Sequence, residues 1–243
     1  DRLREAIARH IGLSRAVRAN AADVIVTNGA QQAIDLVAKV LVPPGTCVAV
    51  EDPGYLYARL AFRSLGARVV GVPVDAEGID VARIPAAARV VYVTPSHQFP
   101  LGTAMSFERR LSLLAWAERR GAAVVEDDYD SEFRFDGRPL DPLQSLDRSG
   151  RVIYIGSFSK MLSPAIRLGF LVVPGSLHEA LVAARQLADW HGDPVAQGAL
   201  ARFIDDGYLA AHIRKIAREY AARHAQVVES VARWLDGQME LIP

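Results

Sequence analysis

The chain has 243 residues, 51% of them hydrophobic and 23% charged, and its 28 Lys and Arg residues balance its 28 Asp and Glu residues. These values are typical of a globular protein with a sizeable core, and the zero formal charge excludes a global basic field that would attract nucleic acid. No segment approaches the roughly 18 consecutive apolar residues of a membrane span. The single cysteine, Cys47, excludes an intramolecular disulfide and a multi-cysteine zinc site, so we expect a cytoplasmic protein.

Short apolar segments alternate with longer amphipathic segments, which is the pattern of βα units around a mainly parallel sheet. The chain is predicted to open with an amphipathic helix that includes Asp1–Glu5. Seven strands are predicted, at Val24–Thr27, Cys47–Glu51, Arg68–Val72, Arg89–Val93, Ala122–Asp127, Val152–Gly156 and Gly169–Val173. Helices between and after them are predicted at Gln31–Val42, Leu56–Leu65, Phe107–Arg120 and Leu177–Trp190. Because several strands are apolar throughout, we expect helices on both faces of the sheet.

The C-terminal part is predicted to be helical from Val195 onward, with Tyr208–Trp234 carrying apolar residues at helical spacing and arginines on the opposite face. We interpret residues 1–205 as a large domain and residues 206–243 as a long helix that leads toward a further domain. Since position 1 is not Met and the chain stops soon after this helix, we expect a piece of a longer polypeptide.

Ligands of open parallel sheets bind outside the carboxyl ends of the strands, so the residues that follow each strand are the first candidates for a site. The segment Thr27–Gln32 follows a strand and opens a helix. Gly29 permits a tight turn, and the free N–H groups of Ala30 and Gln31 would point at an anion such as phosphate. The alternative is an ordinary βα turn, because any helix N-terminus offers the same donors.

Four acidic residues crowd the end of the strand in Val124–Asp130. Alternate residues of an extended segment share a face, so Asp127 and Tyr129 are expected to project together while Asp128 turns the other way. A carboxylate beside a phenol suits a pyridinium ring with a neighbouring phenolate oxygen. A magnesium site and a solvated acidic loop are the alternatives, but magnesium leaves Lys160 unexplained.

Lys160 ends the segment Ile155–Lys160, where a strand runs into small and hydroxyl residues. The chain has two other lysines, Lys39 and Lys215, and both lie within helical patterns. A desolvated amine at a strand end has the reactivity that an imine-forming nucleophile needs. Seven residues on, Arg167 offers a guanidinium fork for phosphate oxygens, together with the hydroxyl groups of Ser157 or Ser159.

Two other enzyme classes fit this sequence poorly. Ser157–Lys160 also satisfies the S-x-x-K pattern of penicillin-binding proteins, but the S-D-N and K-T-G elements that accompany it do not occur. A nicotinamide enzyme is disfavoured because no strand is followed by G-x-G-x-x-G.

A loop of turn-forming residues, Val93–Gly102, follows another strand. His97 and Gln98 in this loop offer polar contacts to a ring oxygen or to a substrate. The alternative is that both side chains only fasten the loop.

These segments together resemble the aminotransferase-like domain of the MocR family, bacterial transcription regulators that join a GntR-type winged helix to a class I/II aminotransferase fold. The segments are Thr27–Gln32, Glu51–Tyr55, Thr94–Pro100, Glu126–Asp130 and Ser157–Lys160. Their order and spacing agree over essentially the whole chain, including the 33-residue step from Asp127 to Lys160. Ordinary aminotransferases share the fold, but their loop usually reads N-P-x-N-P-x-G, whereas Pro95–Pro100 reads Pro-Ser-His-Gln-Phe-Pro as in the regulators.

The resemblance implies a three-layer α/β/α fold with a mainly parallel seven-stranded sheet, the large domain of the fold type I transferases that use pyridoxal 5'-phosphate. It implies that Lys160 forms the Schiff base with the cofactor aldehyde, that Asp127 pairs with the pyridine nitrogen and that Tyr129 donates to O3'. Tyr55 is expected to stack on the cofactor ring, although a core tyrosine is the alternative. Which of His97 and Gln98 replaces the usual loop asparagine stays open. The phosphate group is expected to contact Ser157, Ser159, Arg167 and the amides of Ala30 and Gln31.

The resemblance also implies a function: sensing of a small amine or amino acid in a homodimer, with DNA bound only through a winged helix that this chain does not contain. The arginine that grips a substrate carboxylate in this family lies in a C-terminal domain that is also absent. The alternatives are a genuine aminotransferase and a degenerate scaffold without cofactor.

Overall fold

A computed structural model describes residues 2–133 and 141–239. Asp1, in the predicted N-terminal helix, and the last four residues of the predicted C-terminal segment lie outside the described residues. Within the described ranges, no helix combines the length and the apolar character that a membrane crossing requires.

The seven predicted strands are all present, and each begins within one residue of its predicted start. The strands are β1 (Val24–Thr27), β2 (Cys47–Asp52), β3 (Arg68–Asp75), β4 (Gly78–Ile79), β5 (Ala88–Val93), β6 (Ala123–Asp128), β7 (Val152–Ser157) and β8 (Gly169–Val172). The additional strand, β4, has two residues and pairs antiparallel with the end of β3. The sheet order is β1-β8-β7-β6-β5-β2-β3-β4, so the expected sheet gains one short edge strand.

The sheet is mainly parallel, as predicted, with β8 as an antiparallel strand between β1 and β7. Strands β7, β6, β5, β2 and β3 pair in parallel with one another. Since β8 is antiparallel to both of its neighbours, β1 runs in the same direction as β7. The carboxyl ends of β1, β2, β5, β6 and β7 therefore meet at one edge of the sheet.

Helices cover both faces of the sheet. They are α1 (Arg2–Arg15), α2 (Ala30–Leu41), α3 (Leu56–Ser64), α4 (Phe107–Arg120), α5 (Leu143–Leu146), α6 (Gly175–Asp189), α7 (Pro194–Asp205) and α8 (Tyr208–Trp234). Apolar residues of α2, α3 and α6 pack on one face, those of α4 and α5 pack on the other, and those of α1 and α7 pack near β7 and β8. The three-layer α/β/α architecture is thereby confirmed.

Alternation along the central strands assigns each side chain to one layer. In β2, Val48 and Val50 belong to the cluster under α2 and α3, whereas Cys47 and Ala49 belong to the cluster under α4. Cys47 is 4% exposed and packs as a small hydrophobic residue in this cluster. The same alternation in β6 decides which of the acidic side chains face which layer.

Candidate functional site

A cavity of about 240 Å³ lies at the carboxyl edge of the sheet. It lies where the ends of β5, β6 and β7 meet the first turn of α2 and the loop before α3. Its lining consists of Ala30, Gln31, Tyr55, Tyr92, Thr94, Phe99, Asp127, Tyr129, Ser157, Ser159, Lys160 and Arg167. Nine of these twelve residues are among the candidates chosen from the sequence, so the structure brings together groups that are up to 137 residues apart in the chain (167 − 30).

One end of the cavity is rich in hydrogen-bond donors. Helix α2 begins at Ala30, and in the described part of the chain no side chain caps its first turn. The guanidinium of Arg167 lies beside this turn and donates from Nη2 to the carbonyl oxygen of Asn28 at 2.9 Å. The Ser159 amide donates to Ser157 Oγ at 3.1 Å, which places both serines on the same side. Amide donors, hydroxyls and a guanidinium together form a suitable cradle for a phosphate group.

Gly29 does not line the cavity, but it shapes this cradle. Its φ is +81°, in the region that favours glycine, and a Cβ atom at this position would lie 3.0 Å from Nη2 of Arg167. A side chain here would therefore strain the turn and displace the guanidinium.

Asp127 also lines the cavity, from the end of β6, which lies three places from β1 in the sheet order, and it is 5% exposed. Its Oδ2 accepts a hydrogen bond from the buried Tyr92 hydroxyl at 2.5 Å, while its Oδ1 has no partner among the described residues. Burial raises the pKa of Asp127 to about 7, against the lowering effect of the Tyr92 hydrogen bond. An unpartnered buried carboxylate oxygen beside a cavity fits a ligand that brings an N–H donor, such as a protonated pyridine ring.

The neighbouring acids do not converge on Asp127. Asp128 turns to the opposite face of β6, where its Oδ2 accepts from Arg15 at 3.0 Å. Glu126 accepts from the backbone amides of Leu143 and Gln144, both at 2.9 Å. All three carboxyl groups are buried, which contradicts the solvated-loop alternative, and their separate partners argue against a shared magnesium ion.

Tyr129 shares the cavity with Asp127, as the alternation along the strand predicts. Its hydroxyl donates to the carbonyl oxygen of His97 at 3.0 Å, and its ring stacks on the His97 ring with centroids 6.0 Å apart. Burial, together with the charge of Asp130, raises the pKa of Tyr129 above its usual value. The phenol is therefore protonated at neutral pH, and its one O–H is used in the bond to the His97 carbonyl oxygen.

The structure does not bring His97 and Gln98 to the cavity wall. The His97 ring pairs with Asp130 at 2.6 Å, outside the lining. The buried Gln98 amide donates to the carbonyl oxygens of Pro53 and Phe99 at 2.9 and 2.7 Å, so this side chain fastens the loop. Of the two alternatives left open by the sequence, the geometry supports the loop-fastening one for Gln98.

Three lining residues were not anticipated from the sequence: Tyr92, Thr94 and Phe99. Tyr92 lies inside an apolar strand, so the sequence predicts a core residue, and Tyr92 is indeed part of the hydrophobic core. Phe99 meets the Tyr55 ring edge-on with centroids 5.7 Å apart, so these two rings form one aromatic wall. The placement of Tyr55 in the lining is compatible with a ring-contacting role.

Lys160 lines the cavity, but it is an exposed residue in this chain. The sequence-based expectation of a desolvated amine is therefore wrong for the chain as it stands. The physical reason is local: the turn after β7 lies at the surface, and Ser163, Pro164 and Ala165 beyond it are exposed as well. The amine nevertheless has the cavity beside it.

Glu51 lies behind Thr94 and is 1% exposed. Its Oε2 accepts from the Thr94 hydroxyl at 2.6 Å and from the Thr94 amide at 3.1 Å, but its Oε1 has no partner among the described residues. Burial raises the pKa of Glu51 to about 7, even though these hydrogen bonds lower it. The folded protein therefore favours the protonated form of this carboxyl.

We expect Glu51→Gln to reduce the pH dependence of stability. The pKa of Glu51 is higher in the folded protein, about 7, than in the unfolded chain, about 4.5. Below about pH 4.5 the group is protonated in both states and does not reduce stability. As the pH rises toward 7, ionisation favours the unfolded chain and the free energy of unfolding falls. Wild-type protein should lose up to about 3 kcal/mol from this group between pH 5 and pH 8, and the amide should not. Urea unfolding at both pH values measures the difference, and equal losses in the two proteins would contradict the burial of an ionisable Glu51.

Comparisons with known proteins agree with the fold. The sequence matches the family described as aminotransferase class I and II over residues 1–241. The probable rhizopine catabolism regulatory protein MocR of Rhizobium meliloti is 42% identical over 251 residues, or 99% of this chain and 51% of that protein. The HTH-type transcriptional regulator TauR of Rhodobacter capsulatus is 38% identical over 227 residues, or 93% of this chain and 47% of TauR.

A solved structure shows the same architecture. Kynurenine aminotransferase from Pyrococcus horikoshii, in complex with PMP, superposes with a TM-score of 0.89 at 34% identity, covering 95% of this chain and 59% of that one. The fold and the cavity thus define an aminotransferase-like protein of fold type I. The chain belongs to the aminotransferase class I and II family, and it is homologous to MocR-type regulators. It spans about half the length of the curated relatives it matches.

Proposed function

We infer that this chain is the cofactor-binding, effector-sensing and dimerising part of a MocR-type transcriptional regulator, and that its cofactor is pyridoxal 5'-phosphate. The observation that carries the proposal is one cavity whose lining combines an anion cradle, a carboxyl group with a buried oxygen that has no partner among the described residues, and a lysine amine. These three features match the phosphate, the ring nitrogen and the aldehyde of this cofactor. The PMP complex of the Pyrococcus horikoshii relative supports the assignment.

Bound pyridoxal phosphate supplies an aldehyde that condenses with primary amines and a ring that accepts electrons. Lys160 holds a primary amine at the cavity edge. Asp127 offers Oδ1 to a ring N–H, and the Tyr92 hydrogen bond fixes the orientation of the carboxyl group. The α2 amides, Ser157, Ser159 and Arg167 would bind the phosphate, and the Tyr55–Phe99 wall would offer apolar contact to the ring.

The regulator assignment rests on homology, since MocR and TauR are both named as regulators. In this proposal an amine or amino acid that reacts at the site shifts the protein between two arrangements, and attached winged-helix domains then contact DNA differently. A homodimer in the cytoplasm is part of the same proposal.

A genuine aminotransferase is the second candidate function, and the 34% identity to kynurenine aminotransferase supports it. The two are separated by whether the gene encodes a winged helix before Asp1 and by whether the full-length protein turns over an amino acid with a keto acid.

The test of cofactor binding is an absorbance spectrum of the purified protein with pyridoxal phosphate, before and after borohydride. We expect a new band that borohydride removes, and a modified peptide that contains Lys160 in mass spectrometry. A spectrum identical to that of the free cofactor would support the scaffold without cofactor.

We expect Arg167→Ala to weaken binding of pyridoxal phosphate more than binding of pyridoxal. The substitution removes a charge-assisted contact that only the phosphorylated form makes, so the affinity ratio should fall by about 10- to 100-fold. Titrations with both compounds measure the ratio. Arg63→Ala, an exposed arginine in the last turn of α3, is the control. Equal losses for the two compounds would exclude Arg167 from the phosphate site.

A further inference from the structure

A buried ion pair lies directly behind the cavity, on the opposite face of β6. Arg15, the last residue of α1, has a side chain that is 4% exposed, and the side chain of its partner Asp128 is fully buried. Nε of Arg15 lies 3.0 Å from Oδ2 of Asp128. An arginine buried to this extent is uncommon, and breaking such a pair by removing one partner leaves an uncompensated charge.

The Arg15 guanidinium contacts two segments, and each of them carries cavity residues. Besides Asp128, it reaches Ser96, whose hydroxyl accepts from Nη2 at 2.9 Å. Asp128 is adjacent to Asp127, and Ser96 is adjacent to His97, whose carbonyl oxygen accepts the Tyr129 hydroxyl. One cation thus ties the end of β6 to the loop that follows β5.

The same oxygen of Asp128 accepts two further hydrogen bonds, from Tyr154 at 2.6 Å and from Ser131 at 2.8 Å. These contacts fix Asp128 against β7 and against the turn after β6. Because successive residues of a strand point to opposite faces, a fixed Asp128 also fixes the direction in which Asp127 leaves the backbone.

The positive charge of Arg15 favours the same role as its hydrogen bonds do. Burial is the main cause of the raised pKa of Asp127, and the negative charges of Asp128 and Asp130 add to it. Arg15 lies close enough to Asp128 to compensate one of these charges. Without it, Asp127 would hold a proton more strongly and would offer a poorer acceptor to a ring N–H.

We propose that Arg15 is a positioning residue of the cofactor site, which acts through Asp128 and Ser96 to keep Asp127 aimed at the ring nitrogen of pyridoxal phosphate. This role rests on the proposed function. It assigns a task to the end of α1, an element that contributes no atom to the cavity lining.

The test compares pyridoxal phosphate with an analogue in which C–H replaces the ring nitrogen. The ratio of the two affinities reports only on the contact with the nitrogen, so a general loosening of the fold does not change it. We expect the purified protein to prefer pyridoxal phosphate, and Arg15→Met to reduce that preference by about tenfold, because the charge-assisted contact to the ring nitrogen is weakened. Arg15→Lys should retain most of the preference because it retains the charge.

Arg9→Met is the matched control, since Arg9 lies on the same helix with an exposed side chain paired to Asp205, and it should leave the ratio unchanged. If Arg15→Met does not fold, Ser96→Ala serves instead, with an expected reduction of about two- to fivefold for the loss of one hydrogen bond. An unchanged ratio in the folded variants would overturn the role of Arg15. Failure of the unsubstituted protein to bind pyridoxal phosphate would overturn the proposed function itself.

Discussion

Lys160→Ala should abolish the covalent adduct between the protein and pyridoxal phosphate. Lys160 is the lysine in the cavity lining, and alanine has no amine that borohydride reduction could fix to the cofactor. We expect the adduct to fall below detection while the thermal midpoint stays within a few degrees of wild type, because Lys160 is exposed and surface substitutions usually cost about 0.5 kcal/mol or less. Mass spectrometry of the reduced protein measures the adduct.

Lys39→Ala is the matched control for this experiment. Lys39 is also exposed, and it pairs with Asp35 on α2 at 2.7 Å, away from the cavity lining. Its substitution should leave the adduct unchanged. An adduct that persists in Lys160→Ala would contradict the assignment of Lys160 as the reactive amine, whatever the result for Lys39→Ala.

Non-covalent binding should survive the loss of Lys160 in weakened form. The phosphate cradle and Asp127 do not depend on this side chain, and Arg167 is held by its own hydrogen bond to Asn28. If adding Arg167→Ala to Lys160→Ala removes this residual affinity, the result supports a phosphate site at Arg167.

The sequence predicted the fold well because its local signals and its long-range packing agree. Helix α4 has the predicted bounds: Ser106 caps its start by accepting from the Arg109 amide, and Gly121 ends it in the left-handed region at φ +60°. The central strands are apolar on both faces, as strands between two helical layers must be. The two-residue strand β4 was not predicted, because two residues carry no periodic signal.

Only some residues of the candidate site could be predicted from the sequence. Polar residues just past a strand, such as Asp127 and Ser157, stand out because they interrupt an apolar pattern. Tyr92 does not, since a tyrosine within an apolar strand is most simply a core residue. Its hydroxyl finds Asp127 only because β5 and β6 are neighbours in the sheet.

The contact between Arg15 and Asp128 could not be predicted from the sequence, for a different reason. It is one of many arginines, and its partner Asp128 is 113 residues away in the chain. Nothing in the spacing of α1 distinguishes this arginine from those that face solvent. A contact of this kind depends on where the end of α1 lies relative to the sheet, and only the folded structure supplies that placement.

Asp127→Asn should weaken cofactor binding while it stabilises the protein without cofactor. The amide still accepts from Tyr92, but it removes the charge that a protonated ring nitrogen would meet. Loss of a charge-assisted buried hydrogen bond should reduce the affinity for pyridoxal phosphate by about 10- to 100-fold. Absorbance titrations measure this loss, with Asp35→Asn on the exposed face of α2 as the control.

Stability should change in the opposite direction. Because burial raises the pKa of Asp127 from 3.8 to about 7, its ionised form costs folding free energy, and this cost is complete above about pH 7 and absent below about pH 4. Asparagine carries no such cost, so urea unfolding at pH 8 should give a larger free energy for the variant, and at pH 4 the difference should vanish. A variant that loses both affinity and stability at pH 8 would indicate a structural role for Asp127. Weaker binding with higher stability is the result expected of a carboxylate kept for a cationic ligand, because the ligand supplies the partner that the folded chain alone does not.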